Sequence, residues 1–168
     1  MTELGLDIFT LSHTGISLIA IALGFWFLKL LLQKRNCPRL TAGFLGLTAL
    51  ISVTGFLSFS PPGAPTPAQV TGVLALIVLA PTLYGLYGAK LAGKWRAAYV
   101  IGALASLYLN VFVLVVQLFT KVPSFHATLP PGPAPGGPAF GAVQAEVLLA
   151  CVCAGWQAVK RFRPLIAA

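Results

Sequence analysis

Long apolar runs, separated by short polar or proline-rich segments, dominate the pattern of this sequence. A helix needs about 20 apolar residues to cross a hydrocarbon layer about 30 Å thick. Five runs are long enough, and they cover residues 8–32, 40–60, 69–89, 97–119 and 140–159. The pattern therefore predicts an all-α fold, a polytopic membrane bundle of five transmembrane helices that forms a single domain over residues 1–168.

The segments between these runs are of two kinds. The first and third, "QKRNCPR" and "AKLAGKWR", are basic, whereas the second and fourth, "SPPGAPTPAQ" and "KVPSFHATLPPGPAPGGPAF", are rich in proline and glycine. Because proline lacks an amide hydrogen and clashes with the preceding helical turn, the two proline-rich segments are predicted to be turns or loops.

Basic residues gather on one side of the predicted bundle. They follow the first, third and fifth runs: Lys34, Arg35, Arg39, Lys90, Lys94, Arg96, Lys160, Arg161 and Arg163. The other side carries Glu3, Asp7, a loop without charge and the single Lys121. Since basic loops stay in the cytoplasm, we expect the N-terminus outside and the C-terminus in the cytoplasm.

The composition supports lipid as the solvent of this chain. Of its 168 residues, 58% are hydrophobic and only 8% are charged, whereas a soluble domain carries about 25% charged residues. The excess of 11 Lys and Arg over 3 Asp and Glu follows the arrangement of membrane loops, so we expect membrane lipid as a partner and no nucleic acid.

Six polar side chains interrupt the apolar pattern towards the side that is predicted to face outward. They are His13, Asn110, Gln117, Lys121, His126 and Glu146. At a rise of 1.5 Å per residue, Asn110 lies roughly 13 Å below the outer end of the fourth span. Because ionisable groups inside a membrane are costly, these residues form the candidate site.

Small residues recur every four positions along the fourth and fifth spans, a spacing that lets two membrane helices approach closely. The stripes are Ala98, Gly102, Ser106 and Asn110 in the fourth span, and Ala142, Glu146, Ala150, Ala154 and Ala158 in the fifth. We expect the two stripes to face each other, with Asn110 donating to Glu146 in a hydrogen bond worth ~0.6–2 kcal/mol. The alternative is that the same polar residues line a cavity that opens outward, and the sequence leaves both interpretations open.

Few cofactor chemistries fit these residues. Haem is disfavoured because only His13 lies in a span, whereas His126 lies in a loop. The acids and histidines show no recognisable spacing of metal ligands, so no metal site is predicted. A quinone pocket needs an apolar slot and one or two donors, which His13, Asn110 and Gln117 could supply. The cofactor stays open, with quinone or lipid as the candidates.

Catalytic motifs are not found in the sequence. The order of a Ser-His-Asp triad, a phosphate-binding loop and a dinucleotide-binding glycine motif are all missing. The question of enzymatic activity stays open and leans towards a protein that is not an enzyme.

Four stretches carry a resemblance to a known family: "SHTGISLIAIALG" (Ser12 to Gly24), "SVTGF" (Ser52 to Phe56), the segment from Ala92 to His126, and "RFRP" (Arg161 to Pro164). The most specific part is "LYLNVFVLVVQ", followed by a phenylalanine and "KVP". On these motifs the chain resembles a family of small, uncharacterised proteobacterial inner-membrane proteins. The resemblance implies location and threading rather than a mechanism.

The chain departs from that family before its last span. Family members carry a polar and acidic stretch at this point, whereas this chain has "PPGPAPGGPAF". An activity that depends on that loop is therefore not implied.

Two functional hypotheses follow. The first is a non-catalytic accessory subunit that packs against other membrane-protein subunits of a larger respiratory or photosynthetic complex. The alternative is a small redox or ligand-binding membrane protein that holds quinone, haem or lipid near the outer leaflet.

Overall fold

The computed structural model describes residues 3–35, 37–58, 67–132 and 135–162, and the side chains within 8–35, 37–56, 69–132 and 135–162. Most of the predicted proline-rich turn at 60–69 and the basic residue Arg163 lie outside these ranges.

The described residues form helices and contain no strand. The helices are α1 (Glu3–Leu32), α2 (Pro38–Ser58), α3 (Pro67–Leu83), α4 (Lys94–Lys121), the short α5 (Pro123–His126) and α6 (Pro138–Arg161), and α3 continues as a π-helical turn, Tyr84–Gly88. In this part of the chain five helices, all but α5, are long and apolar enough to cross a membrane. The all-α prediction is confirmed, and five helices of this kind indicate a multi-pass membrane protein.

Prolines set the starts of four helices. Pro38, Pro67, Pro123 and Pro138 are the first residues of α2, α3, α5 and α6. The first-turn amide groups of a helix have no intrahelical acceptor, so proline loses nothing there and its fixed φ favours the first turn. The prediction of a loop without a helix is therefore wrong at α5, because the proline at its start begins a helical turn as well as interrupting the apolar run.

Helix α4 lies at the centre of the bundle. It contacts α1, α2, α3 and α6, and 44% of its most apolar window is buried, against 6% for α6. Sequential neighbours α1–α2, α2–α3 and α3–α4 also pack together. The molecule is thus built around α4, with α6 on the outside.

The two ends of the bundle differ in character. We call the basic end the one that carries Lys34, Arg35, Arg39, Lys90, Lys94, Lys160 and Arg161, and the α5 end the opposite one. At the basic end the Arg96 guanidinium donates to the backbone oxygens of Val159 and Phe162. The Val159 carbonyl belongs to the last turn of α6, where no intrahelical donor is available, and Phe162 directly follows the helix. This contact ties the start of α4 to the end of α6.

Close aromatic packing lies in the half of the bundle towards the basic end. Phe27 stacks on Phe44 with ring centroids 5.5 Å apart and meets the edge of Tyr99 at 6.1 Å. A Cβ atom at Gly24 would lie 2.6 Å from Cδ1 of Leu107 and 2.9 Å from Cε2 of Phe44. Only glycine allows α1, α2 and α4 to meet so closely at this level.

The predicted pairing of the two small-residue stripes is wrong over most of its length, although Ala158 at the end of the α6 stripe is fully buried. Helices α4 and α6 do pack together, but a Cβ at Gly102 would overlap the Thr82 hydroxyl on α3. On α6, Ala142, Glu146 and Ala150 are exposed. The reason is a rotation of α6 that directs its bulkier apolar face to the core, since Val143 and Val147 pack against the buried cluster.

Candidate functional site

A cavity of about 390 Å³ lies among α1, α2, α3 and α4, towards the α5 end. Its polar lining comprises Thr10, His13, Thr14, Ser17, Ser52, Thr71, Asn110, Gln117 and Lys121. Its apolar lining comprises Leu18, Ile21, Ile51, Ala75, Leu109, Val113 and Leu114, with Gly55 and Gly72. A pocket of this size, mostly apolar and with a few convergent polar groups, is typical of a small-molecule site.

Local packing explains why space remains here. Below the cavity, Gly24 lets Leu107 and Phe44 close the bundle. On one wall, a Cβ at Gly72 would lie 3.2 Å from the backbone oxygen of Ser52, so α2 and α3 pack closely. Between these contacts eight of the lining residues are Ser, Thr, Ala or Gly, whose short side chains leave part of the centre unfilled.

Asn110 lies at the deep end of the cavity and is bonded to α2. Its amide nitrogen donates to the Thr48 hydroxyl oxygen over 2.9 Å, and both residues are buried. The predicted hydrogen bond to Glu146 is therefore wrong. The exposed side of α6 points away from the face of α4 that carries Asn110, and the nearer hydroxyl on α2 accepts the bond instead.

His13 is held between α1 and α2. The Thr54 hydroxyl lies 3.3 Å from Nδ1 of His13 and also 2.7 Å from the backbone oxygen of Leu50. A hydroxyl has one proton, and the shorter contact to Leu50 takes it, so Nδ1 of His13 is the donor to Thr54. In the neutral ring Nε2 is then the acceptor. Gly55 gives the ring room, since a Cβ there would lie 3.4 Å from Cε1 of His13.

Gln117 and Lys121 occupy the part of the lining nearest the α5 end. Oε1 of Gln117 is buried and has no hydrogen-bond partner among the described residues. An unmet buried acceptor costs about 1–3 kcal/mol. Lys121, one turn further along α4, is exposed and forms no ion pair in the described part of the chain.

The other two predicted site residues lie outside the cavity. Glu146 is exposed on α6, and His126 is exposed on α5. The structure thus brings together His13, Asn110, Gln117 and Lys121, and it separates Glu146 and His126 from them. Within the described ranges, no three His, Cys, Asp or Glu side chains form a group that could hold a metal ion.

Sequence reasoning missed the hydroxyl residues of the site. Thr10, Thr14 and Ser17 follow one face of α1 at helical spacing, and all three line the cavity. That spacing of hydroxyls in an apolar run was a usable signal. Thr48 and Thr54 gave none, because their partners lie 62 and 41 residues away in the sequence.

Comparisons of this chain with protein families, with curated proteins and with solved structures find no match. The resemblance to small proteobacterial inner-membrane proteins therefore stays a prediction, and the functional argument depends on the geometry of the cavity.

Proposed function

We propose that this protein is a ligand-binding protein of the bacterial inner membrane that holds one amphipathic molecule, a lipid or a quinone, in the cavity of α1–α4. The observation that carries the proposal is the buried Oε1 of Gln117, an acceptor left without a partner on the wall of a cavity of about 390 Å³. Buried polar groups in proteins are hydrogen-bonded in the large majority of cases. A ligand whose polar head carries a hydrogen-bond donor supplies the missing partner, and a quinone carries such a donor in its reduced form.

The proposed threading places the N-terminus and the α5 end outside and the basic end in the cytoplasm. It is supported by the basic residues gathered at one end of the bundle and by the tendency of such loops to remain cytoplasmic. With this threading the cavity lies in the outer half of the membrane. The proposed role is binding rather than catalysis.

Purification from native membranes in a mild detergent tests the binding function. Absorption spectra and mass spectrometry on one chromatographic peak should identify a copurifying lipid or quinone at about one molecule per chain. Ala75→Leu fills part of the cavity and should remove that molecule. Ala80→Leu, on the exposed side of the same helix, should retain it. A folded wild-type protein without any such molecule, or equal retention by both variants, would contradict the proposal.

The second candidate function is that of an accessory subunit, and one observation favours it. Glu146 lies eight residues into α6 on its exposed side, and Leu149 and Trp156 on that side are 64% and 66% exposed. Charged side chains within membrane spans almost always face a protein interior or a water-filled cavity. A neighbouring subunit with a basic or hydrogen-bonding side chain at this depth would meet Glu146.

The size of the protein in native membranes tests this second function. An accessory subunit migrates within a larger assembly, and Glu146→Leu should release it from that assembly as a folded chain. A wild-type protein that migrates alone from the mildest detergents would contradict it.

A further inference from the structure

The polar groups of the cavity fall into two sets by their hydrogen bonding. The first set is bonded within the protein: Asn110 to Thr48, His13 to Thr54, and the hydroxyls of Ser17 and Ser52 to backbone oxygens in their own helices. The second set comprises Thr10, Thr14, Gln117 and Lys121. The hydroxyls of Thr10 and Thr14 make no hydrogen bond to the part of the chain that the structure describes.

This second set forms two pairs that line the same cavity. Gln117 and Lys121 lie four residues apart on α4, and Thr10 and Thr14 lie four residues apart on α1. Four residues rise about 6 Å along a helix, so the two members of each pair lie on neighbouring turns. Each member offers a hydrogen bond into the same space.

The described lining of this space carries a positive charge. Among the lining residues whose side chains the structure describes, Lys121 is the one charged residue. Its ammonium and the two threonine hydroxyls can all donate to oxygen, while Oε1 of Gln117 can only accept. The space therefore suits a ligand headgroup with an acidic oxygen. A hydroxyl on the same headgroup would donate a hydrogen bond to Oε1 of Gln117.

Below these groups the cavity has apolar walls, beside polar groups that are already bonded within the protein. Leu18, Ile21, Val113 and Leu114 continue the walls of α1 and α4 towards the middle of the bundle. Leu18 is 49% exposed, so an apolar chain in the cavity can also extend past α1 towards the surrounding lipid.

On these grounds we propose that the ligand of this cavity is an anionic amphiphile, whose acid group pairs with Lys121 between Thr10 and Thr14 and whose apolar chain lies along Leu18, Ile21, Val113 and Leu114. This inference rests on the proposed ligand-binding function and narrows its ligand class. A quinone fits less well, because its carbonyl oxygens neither neutralise Lys121 nor donate to Gln117.

Two sources share this chemistry, and one binding assay separates them. The delipidated protein in a neutral detergent is titrated with phosphatidylglycerol, oleate, phosphatidylcholine and a ubiquinone, and the bound molecules are counted by native mass spectrometry. Phosphatidylglycerol supplies a phosphate and hydroxyls, and oleate supplies a carboxylate alone. Binding of both anionic probes about tenfold or more tightly than phosphatidylcholine and the ubiquinone is the expected result. Tighter binding of phosphatidylglycerol than of oleate identifies a phospholipid as the natural ligand, and tighter binding of oleate identifies a fatty acid.

The matched variants test the role of Lys121. A hydrogen bond to a charged group is worth enough to change affinity by about tenfold or more, so Lys121→Gln should weaken binding of the anionic probes by at least that factor. Lys121→Arg should retain most of the affinity. Lys94→Gln removes the same charge from the other end of α4, where the residue is exposed and does not line the cavity, and should change affinity less than about twofold, since a distant exposed charge is screened by salt.

The outcomes of these experiments distinguish a failure of this inference from a failure of the proposed function. Equal affinity for all four probes, unchanged by Lys121→Gln but lost in Ala75→Leu, would overturn the anionic headgroup and leave a ligand-binding cavity. Tighter binding of the ubiquinone would also overturn the headgroup assignment. If no probe binds, or if Ala75→Leu binds as the wild type does, the proposed function fails together with the inference.

Discussion

Asn110 on α4 donates its side-chain amide to the hydroxyl of Thr48 on α2 over 2.9 Å. Thr48 is fully buried, and Asn110 is 9% exposed. The bond lies at the deep end of the cavity and joins the central helix to a helix with which it shares few other contacts. The amide that interrupts an apolar run therefore fixes the floor of the candidate site.

The coupling of this pair can be measured in a double-mutant cycle. Asn110→Leu and Thr48→Val should each lower the free energy of unfolding, and the cycle should give a coupling of ~0.6–2 kcal/mol, the range for interhelical hydrogen bonds in membranes. Unfolding in detergent with a chemical denaturant provides the measurement. The control cycle combines Asn110→Leu with Glu146→Gln and should show no coupling. Coupling in the control alone would contradict the contact described.

Gln117→Leu should have opposite effects on stability and on ligand content. The substitution removes a buried acceptor that has no partner, so the free energy of unfolding of the ligand-free protein should rise or stay unchanged. The bound molecule should be lost, because Gln117 lines the cavity. Thermal unfolding and mass spectrometry on the same sample give both results.

Gln144 is the matched control for that prediction. Its Oε1 is also buried without a partner among the described residues, but its Nε2 donates to the backbone oxygen of Phe112 over 3.3 Å and it does not line the cavity. Gln144→Leu should retain the ligand. Loss of the ligand in both variants would indicate a general loss of packing and would contradict the role given to Gln117.

Gly102→Ala should strongly weaken the contact of α3 with α4. A Cβ at this position would overlap the Thr82 hydroxyl, which is held by its bond to the backbone oxygen of Val78 over 2.7 Å. Overpacking of a buried site costs about 1–3 kcal/mol in the free energy of unfolding. At Gly46 a Cβ would meet nothing within 4 Å, so Gly46→Ala should be neutral or slightly stabilising. Equal effects of the two substitutions would show that α3 and α4 pack differently.

Glu146→Leu should leave the isolated protein as stable as the wild type, to within about 0.5 kcal/mol, as expected for an exposed position. Glu146 makes no hydrogen bond or ion pair with the described part of the chain. The substitution is expected to have an effect only where a second subunit covers α6. Unfolding of the isolated chain in detergent should therefore be compared with migration of the native assembly. A clear loss of stability in the isolated chain would place Glu146 in an internal contact.

Thiol labelling tests the proposed threading. Cys37 precedes α2 at the basic end, and Ser124 is exposed on α5 at the other end. A maleimide that cannot cross membranes should label Ser124→Cys in intact cells, whereas Cys37 should react only after lysis. The opposite pattern would invert the threading and place the cavity in the inner half of the membrane.

The sequence by itself determined the positions of the long helices along the chain and the depth of polar residues within the bundle. Apolar length is a local property, so all five long helices lie where the runs predicted them. The fourth helix was predicted over 97–119 and covers Lys94–Lys121 in the structure, because the polar residues at its ends are also helical. Position along a helix also sets depth through the fixed rise per residue. For this reason His13 and Gln117, far apart in the sequence, could be assigned to one level, and both line the cavity.

Only the tertiary structure decided the direction in which each helix face points. A stripe of small residues packs equally well against any neighbour, and here Gly102 meets Thr82 on α3 while Ala142 and Ala150 remain exposed. The partner of Asn110 depended in the same way on the rotation of α4 towards α2. The rotation of each helix about its own axis is fixed by the packing of all helices together. Successive residues differ by about 100° in direction but by only about 1.5 Å in depth, so the depth of a residue does not show which way its side chain points. The sequence could therefore place the polar groups along the membrane normal, but it could not show which of them would meet.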